Sequence, residues 1–571
     1  MVLDADMYVE VPANRHEAEG WGRFVADNYV PRCNLMTHTN SGEASHTSIR
    51  WKLREPITAY DKWDIPKSAL ETAFEHNEYV PICHAKLDNR PPASADRGFE
   101  VTWWNGAPFL SHWVDYLSYE DHRRESKRMF EAGYRPVSMD ASQVGKESTP
   151  LYSSVWWIPL ADPLTESKLC LQHSRRLTAL FMLGDDTKLR EALSQSGEPE
   201  LRANLIDTFS RHNLPQNWLL EQLDNPANSL QLRRATACAL ALYLENTLTS
   251  MESQRLRTLV AQASQTIDDP GLRSAIETVC SRWHLPIPYW QDSKDELLTR
   301  GGQRMIALRP SKPFLRGSFS NEPGRDRKKE TLHQVQLQHP FALSDREITI
   351  EQVRRLLPDF SKVNDYAASD DCPAININYY DAAKYCRLLS ELEGLAESEM
   401  CYPPIDQIHS KMVLPANFMD RHGYRLPSES EFEYACRANT VTARPFGFAK
   451  HLLHEYAWTF ENSDEIVHPV AQKLPNDFGF FDLLGNAFEW CQDAAIERYE
   501  SYEQYHWKSD ELRIDNPVNN AQPISLARCI RGGAFLYQPS NARSGQRDFQ
   551  SPQDNRVYMS FRIARTMMDR K

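Results

Sequence analysis

The sequence predicts a multidomain α+β protein, and three observations carry that prediction. A chain of 571 residues is too long for one hydrophobic core, and three or four domains follow from length alone. The N-terminal part repeats a motif three times, Tyr29-Val30-Pro31, Tyr79-Val80-Pro81 and Tyr134-Arg135-Pro136, each followed by tryptophan at Trp51, Trp103-Trp104 and Trp156-Trp157. Over residues 165–284 proline becomes rare and apolar residues recur at helical spacing.

Composition narrows the class. A hydrophobic share of 41% and a charged share of 25% are those of a soluble globular protein. The net charge of -13 argues against general nucleic-acid or anionic-membrane binding. The start "MVLDADMYVE" has neither the basic nor the apolar region of a secretory leader, and no apolar run approaches membrane-span length. Eleven cysteines, an odd number with no C-x-x-C pair, read as reduced thiols of a cytoplasmic protein rather than a disulfide framework.

Residues 1–164 read as an αβ tandem-repeat region of three units, about 20–60, 65–112 and 120–162. Each unit reads as a helix, a strand opened by Tyr-x-Pro, a polar turn and a strand ending in tryptophan. "SALETAFEHN" and "YEDHRRESKRMFEAG" are the clearest helices. Proline suits a strand start because its missing N–H falls at the edge of pairing. The units resemble bacterial tandem-repeat modules with a Tyr-x-Pro-Val start and an aromatic end. The aromatic residues are read as core rather than as a ligand groove. His38 and His46 are read as loop residues, not metal ligands.

Residues 165–284 carry helical segments such as "ELRANLIDTFSRHNL" and "LQLRRATACALALYLENTL". A Leu-Arg pair recurs at Leu201-Arg202, Leu232-Arg233 and Leu272-Arg273. Helix pairs of this kind are similar to HEAT-type repeats, a stack that serves either to bind protein or as a rigid spacer. Residues 285–302, with their prolines and polar tail, read as a linker.

Residues 303–571 carry six blocks in order: "FLRGSFSNEPGRDRKKETLHQVQLQHPFALSDREITIEQVRRLL", "PAININYYDAAKYC", "GYRLPSESEFEYACRA", "HPVAQKLPNDFGFFDLLGNAFEWCQD", "CIRGGAFLYQPSNARSG" and "SFRIAR". In these blocks the region resembles the formylglycine-generating enzyme (sulfatase-modifying factor) domain family. The resemblance implies an α+β, C-type-lectin-like fold.

The residues are informative beside the resemblance. Ser428 and Glu431 have capping-box spacing, and Phe432, Ala435 and Cys436 share one helical face. Glu429, Glu431 and Glu433 are read as helix-start and arginine-binding groups, not as a general acid/base pair. Asp482, Asn486 and Glu489 have i, i+4, i+7 spacing, one helical face if the turn is regular. With a loop carbonyl such as that of Leu484 they form a hard oxygen set suited to Ca²⁺. The resemblance implies a structural calcium there, and a second site that includes Asn462.

In the working enzymes the resemblance places a serine and two cysteines in the loop after Arg-Gly-Gly. The cysteines hold Cu(I) and activate O₂ against a substrate cysteine. Counted from Arg531-Gly532-Gly533, those three positions are Ala534, Tyr537 and Ala542. Cu(I) requires soft thiolates, so copper is not expected. Cys529 precedes the glycine turn, and Cys491 reads as structural. The His-x-x-x-His-x-Glu pattern of sulfoxide synthases on this fold is absent. Bacterial proteins join a similar domain and helical repeats to a Ser/Thr kinase. No kinase motif occurs in this chain; if the architecture is shared, the kinase is missing from it or encoded upstream, and a Ser/Thr kinase is one expected partner. Tyr537, Gln538, Asn541, Arg543 and Arg547, with Gln546 and Asp548, form an aromatic-anchored polar loop suited to holding a ligand. The leading reading is a non-oxidase binding or scaffold module. The alternative is an O₂-dependent oxidase of protein or small-molecule thiols, using an unrecognised metal site.

Overall fold

A computed structural model describes nine strands and the helix Tyr119–Glu131 within residues 1–162. It also describes residues 163–568, apart from 496–512, 515–526 and short stretches at 196, 244–247, 291, 320, 327–328, 362 and 364. The chain divides into two compact units, Met1–Asp162 and Pro163–Lys571.

The first unit contains three three-stranded antiparallel sheets of one design. Their central strands are Ala44–Lys52, Phe99–Asn105 and Leu151–Pro159, and each is the last of its triplet in the chain. In every copy the register shifts directly after the motif proline, at Pro31, Pro81 and Pro136. Proline cannot donate to the ladder, and a bulge takes up the missing bond. Each sheet also has a leading strand, Tyr8–Glu10, Ala59–Ile65 or Phe109–Leu117, absent from the helix–strand–strand reading. In the second and third copies this strand itself carries a register shift, which interrupts the two-residue period that marks a strand in sequence. The helix over "YEDHRRESKRMFEAG" forms as Tyr119–Glu131, and its His122 ring meets the Ser154 hydroxyl at 2.8 Å. "SALETAFEHN" and the side chains of His38 and His46 lie outside the described residues.

Among the described residues the second unit opens with seven helices: α1 (Pro163–Met182), α2 (Thr187–Ser194), α3 (Pro199–Arg211), α4 (Gln216–Asp224), α5 (Leu230–Ala241), α6 (Ser250–Thr266) and α7 (Pro270–Arg282). Ser229, Thr249 and Asp269 cap α5, α6 and α7 with their side chains. Helices α1, α3, α5 and α7 pack in succession, around a core that includes Leu205, Leu219, Leu240 and Ile276.

Burial is unbroken from Glu200 to Phe209 in α3 and from Gly271 to Cys280 in α7. One side of each helix faces the stack and the other faces the C-terminal domain. The recurrent Leu-Arg pairs explain part of that contact. Arg202 pairs with Asp477 and Arg273 with Glu296, both in the domain, whereas Arg233 donates to the Leu223 carbonyl. Glu277 of α7 holds Arg346 at 2.7 Å and Arg304 at 3.1 Å. Glu200 accepts the amides of Phe448 and Ala449 at 2.6 and 3.2 Å. Ser274 donates to the Gly479 carbonyl at 2.7 Å.

The stretch 285–302, expected as a linker, is therefore not a loose tether. It includes strand β1 (Glu296–Leu298), which pairs with β2 (Arg304–Leu308), and Glu296 is buried on Arg273 and Arg304. Within this stretch Glu296 meets Arg273 of α7, whereas Asp295 pairs with Arg309 of the domain.

The domain continues with β3 (Phe314–Arg316), β4 (His333–Gln336), β5 (Phe341–Ser344), α8 (Ile350–Leu356), α9 (Tyr379–Leu392), β6 (Tyr424–Arg425) and α10 (Glu429–Arg437). It ends with β7 (Phe488–Ala494), β8 (Arg513–Ile514), β9 (Arg528–Arg531), β10 (Arg547–Gln550), β11 (Met559–Ser560) and β12 (Ala564–Thr566). An antiparallel sheet of order β1-β2-β5-β12-β6 lies beside a mixed sheet β10-β9-β7-β11 and a small sheet β3-β4-β8. Tyr379, Ala383, Cys386 and Leu389 of α9 share one core with Met305, Trp490, Ile530 and Phe561. The fold class is thus mixed α+β. The nine cysteines among the described residues are all free, eight of them buried.

Candidate functional site

Strand β9 delivers Arg531 into a buried ion network and then turns sharply. Arg531 meets Glu429 at 2.9 Å and Glu433 at 2.6 Å. Glu429 opens α10 and Glu433 stands one turn on, and the capping box of Ser428 and Glu431 is formed in full. Arg316, Arg437 and Arg547 complete the network. Burial opposes ionisation of Glu429, but Arg316, Arg547 and Arg531 hold its carboxyl well below the usual carboxylate range. Glu431 is committed to Arg425. The three glutamates therefore build the domain. The turn that follows needs glycine at both positions. Gly532 and Gly533 have φ of +97° and +82°, and a Cβ on Gly533 would lie 3.0 Å from the Asn541 carbonyl.

The loop beyond the turn brings the three positions implied by the resemblance to different surroundings. Ala534 packs into the core around Trp490, and Ala542 into the cluster of Cys436 and Cys529. Tyr537 is half-buried, with its ring edge-on to Phe488 at 4.9 Å and to Tyr558 at 5.2 Å. Burial raises its phenol pKa, and the Tyr558 hydroxyl adds to the shift. None of the three is a soft ligand. Cys529 lies on β9 with its sulfur 3.3 Å from Arg547, and burial pushes its thiol up.

The polar loop residues separate into two groups. Arg543 is 3% exposed and holds Glu322 and Glu330, each at 2.7 Å. Arg547 grips both oxygens of Glu429. Both guanidiniums are committed to the interior, because each has a buried carboxylate within reach. Gln538 is exposed, and Tyr537 and Asn541 are half-buried, so these three give the loop its outer face. Gln546 is buried, and Asp548 binds Lys329 at 2.9 Å. Beneath the loop Arg444, not singled out by any motif, donates to the carbonyls of Ala542 and Pro539 at 2.9 and 3.1 Å.

The suggested metal residues do not share a helical face. Asp482, Gly485 and Asn486 all have positive φ, at +53°, +79° and +55°, and Glu489 already belongs to β7. A left-handed turn cannot continue as a helix of L-residues. Glu489 puts both oxygens on Arg562, at 2.5 and 2.7 Å, which removes it from the donor set. Asn462 serves a turn, accepting from the Thr459 amide at 2.8 Å and donating to the Ala457 carbonyl at 3.0 Å.

What the fold adds is Glu347, which follows β5. It accepts from the Asn486 amide group at 2.8 Å and the Ala487 N–H at 3.0 Å. Burial and the charges of Asp482 and Glu489 push its carboxyl well above the usual range. Burial also raises Asp482, whose Oδ2 takes the Ala471 amide while its buried Oδ1 has no partner. Asp482 Oδ1 is thus a spare hard oxygen of the kind Ca²⁺ takes, whereas the Asn486 side-chain oxygen already accepts the His468 N–H at 3.0 Å. Among the described residues no three His, Cys, Asp or Glu side chains form a ligand cluster, so neutral oxygens have to complete a site there.

Residues 291–567 match the family described as Sulfatase-modifying factor enzyme 1-like domain. The serine/threonine-protein kinase pkn1 of Chlamydia pneumoniae is 23% identical over 395 residues, 67% of this chain and 57% of that protein. The formylglycine-generating enzyme of Thermomonospora curvata is 28% identical over 161 residues, 25% of this chain and 49% of that protein. The chain thus spans about half the length of these curated relatives. Among solved structures, Treponema denticola variable protein 1 is 24% identical with a TM-score of 0.39, covering 46% of this chain and 95% of its own. Residues 291–567 carry a sulfatase-modifying factor enzyme 1-like domain, a relative of the formylglycine-generating enzymes.

Proposed function

We propose that this chain is a sulfatase-modifying-factor-like binding or scaffold protein that lacks the copper oxidase site of its relatives. The observation that supports this reading is the loop after Arg531-Gly532-Gly533. It carries Ala534, Tyr537 and Ala542 where the resemblance calls for a serine and two cysteines. Tyr537 packs on Phe488 and Tyr558 as an aromatic anchor, beside Gln538 and Asn541. An anchor ringed by adjustable hydrogen-bonding groups suits a protein or small-molecule ligand. Arg543, Arg547 and Arg444 hold the loop from inside.

Within this reading, Glu347, Asp482, Asn486 and the Leu484 carbonyl bind a structural Ca²⁺. The chain works in the cytoplasm without nucleic acid or membrane. The helical stack, similar to HEAT-type repeats, presents the lectin-like domain. Association with a Ser/Thr kinase belongs to the same reading.

The test uses the full chain, because the helices from Pro163 on share one unit with the domain. Protein, Cu(I), O₂, a reductant and a sulfatase-type cysteine peptide are incubated, and the peptide mass is followed. An unchanged peptide beside an active control enzyme is expected. Conversion of the cysteine to an aldehyde overturns the reading in favour of a thiol oxidase with another metal site.

A further inference from the structure

Arg528, at the start of β9, is a buried cation with half of its hydrogen-bonding fork empty. Its residue is 3% exposed. Nη1 donates to the Gln492 carbonyl at 2.8 Å, and the guanidinium lies 5.2 Å from the centre of the Tyr379 ring. Nε and Nη2 have no partner. That edge is the one that takes a carboxylate side-on. Arg562 puts the same edge on Glu489, and Arg547 puts it on Glu429. Among the described residues no carboxylate serves Arg528.

Two further donors nearby are unused. Gln492 is 1% exposed, and its Oε1 accepts from the hydroxyls of Tyr379 and Tyr402 at 2.9 and 2.7 Å, while its Nε2 is left unpartnered. The Tyr380 hydroxyl, buried and within the field of Arg528, also has no partner. The neighbouring acid on β7 is directed elsewhere, in a stretch where the register of the strand shifts. Gln492 shares the face of Trp490, whereas Asp493 points to the opposite face and accepts the Glu429 amide at 2.7 Å. Buried polar groups in folded proteins are paired as a rule. Arg528 and Gln492 here have unused N–H donors, and the Tyr380 hydroxyl is unpartnered beside them.

We propose that Arg528, Gln492 and Tyr380 form a receptor for the carboxylate group of a small organic acid. The Nε–Nη2 edge of Arg528 takes both oxygens, as in the two internal pairs, and the Gln492 amide and Tyr380 hydroxyl supply the remaining bonds. The site lies towards the end of β7 away from Phe488 and Tyr537. It stands independently of the function proposed for the loop.

Thermal unfolding of the full chain near neutral pH tests this, with acetate, phosphate and chloride as the probes at matched ionic strength. The expected result is a saturable rise in Tm with acetate that chloride does not give. Tyr380→Phe raises the half-saturating acetate concentration several-fold and leaves Tm in chloride unchanged. Arg528→Met abolishes the acetate effect, with Tm in chloride equal or higher, since an unpaired buried cation has been removed. Coincident acetate and chloride curves for the unaltered protein overturn the proposal and assign the empty donors to water. So does an acetate effect that survives Arg528→Met. Saturation by phosphate in preference to acetate overturns the carboxylate assignment. If Arg528→Met does not fold, the Tyr380→Phe titration alone decides.

Discussion

Arg562 and Glu489 face each other with both carboxylate oxygens on one guanidinium edge, at 2.5 and 2.7 Å, and neither residue is exposed. Arg562 also donates to the carbonyls of Ser344 and Phe481, so this pair ties β7 to two other segments of the domain. Removing one partner leaves the other charge buried and unpaired, which costs about 3–5 kcal/mol. Glu489→Gln is expected to lower the urea midpoint accordingly. The double variant Glu489→Leu/Arg562→Met recovers much of the loss, because no lone charge remains. A single variant as stable as the parent would show that the pair contributes nothing.

Under the proposed Ca²⁺ site, calcium and pH are linked through Glu347 and Asp482. Burial raises both carboxyls above their usual values, so the folded state retains protons that the unfolded chain has released. Without metal, the contribution of these two groups to stability is greatest below their unfolded pKa values, about 4, and is lost as pH rises through the raised folded values. A bound cation replaces the proton and removes that fall. Tm in a chelator is expected to drop between acidic and neutral pH, and added Ca²⁺ is expected to restore it at neutral pH. Glu347→Gln reduces both effects. Superimposable curves with chelator and Ca²⁺ would refute the site.

Arg444 fixes the candidate ligand loop from below. It is buried and bonds only to neutral carbonyls, those of Ala542, Pro539 and Phe448. Burial, with the charge of Arg543, brings its guanidinium down to about 10. Lysine cannot reproduce a fork that spans three acceptors. Arg444→Lys is expected to cost about 1–3 kcal/mol through carbonyls left unpaired. Amide exchange should quicken at Asn541 and Ala542, whose N–H groups close the loop on Gln538 and Pro539. Unchanged exchange there would remove Arg444 from the support of the loop.

The junction of α7 with the domain leaves no room at Gly479. Its φ is +95°, and a Cβ would lie 2.7 Å from the Pro270 carbonyl. Gly479→Ala pays for a left-handed alanine, about 1–2 kcal/mol, and also pushes α7 away. Helix circular dichroism and tryptophan fluorescence are expected to report one transition in the parent. A second, earlier helical transition is expected in the variant. Two transitions already present in the parent would show that stack and domain unfold separately.

The acid limb of stability has a contributor at the same junction. Burial opposes ionisation of Glu455, but its bond to His454 and the Arg282 charge hold it at about 2. A carboxyl lowered in the folded state stabilises above its unfolded pKa, and that stabilisation is lost as pH falls towards 2. Glu455→Gln should therefore flatten the decline of Tm between about pH 4 and pH 2. An unaltered slope would assign the decline to other carboxyls.

The sequence by itself determined what local physics writes into neighbouring residues. The Ser428–Glu431 spacing specified the capping box of α10, the Tyr-x-Pro motifs marked strands, and the Arg531-Gly532-Gly533 turn located the loop with its three substituted positions. Helical periodicity located the stack. Only the tertiary structure decided which charges meet. Spacing grouped Asp482, Asn486 and Glu489, but left-handed residues bent the chain, Glu489 went to Arg562, and Glu347 arrived from 135 positions earlier in the chain. It also turned Arg543 and Arg547 inwards, gave the Leu-Arg pairs of α3 and α7 partners in the domain, and left Arg528 without an acid among the described residues. A charged side chain looks alike in sequence whether solvated or buried, because its partner is chosen by long-range packing that no local pattern encodes.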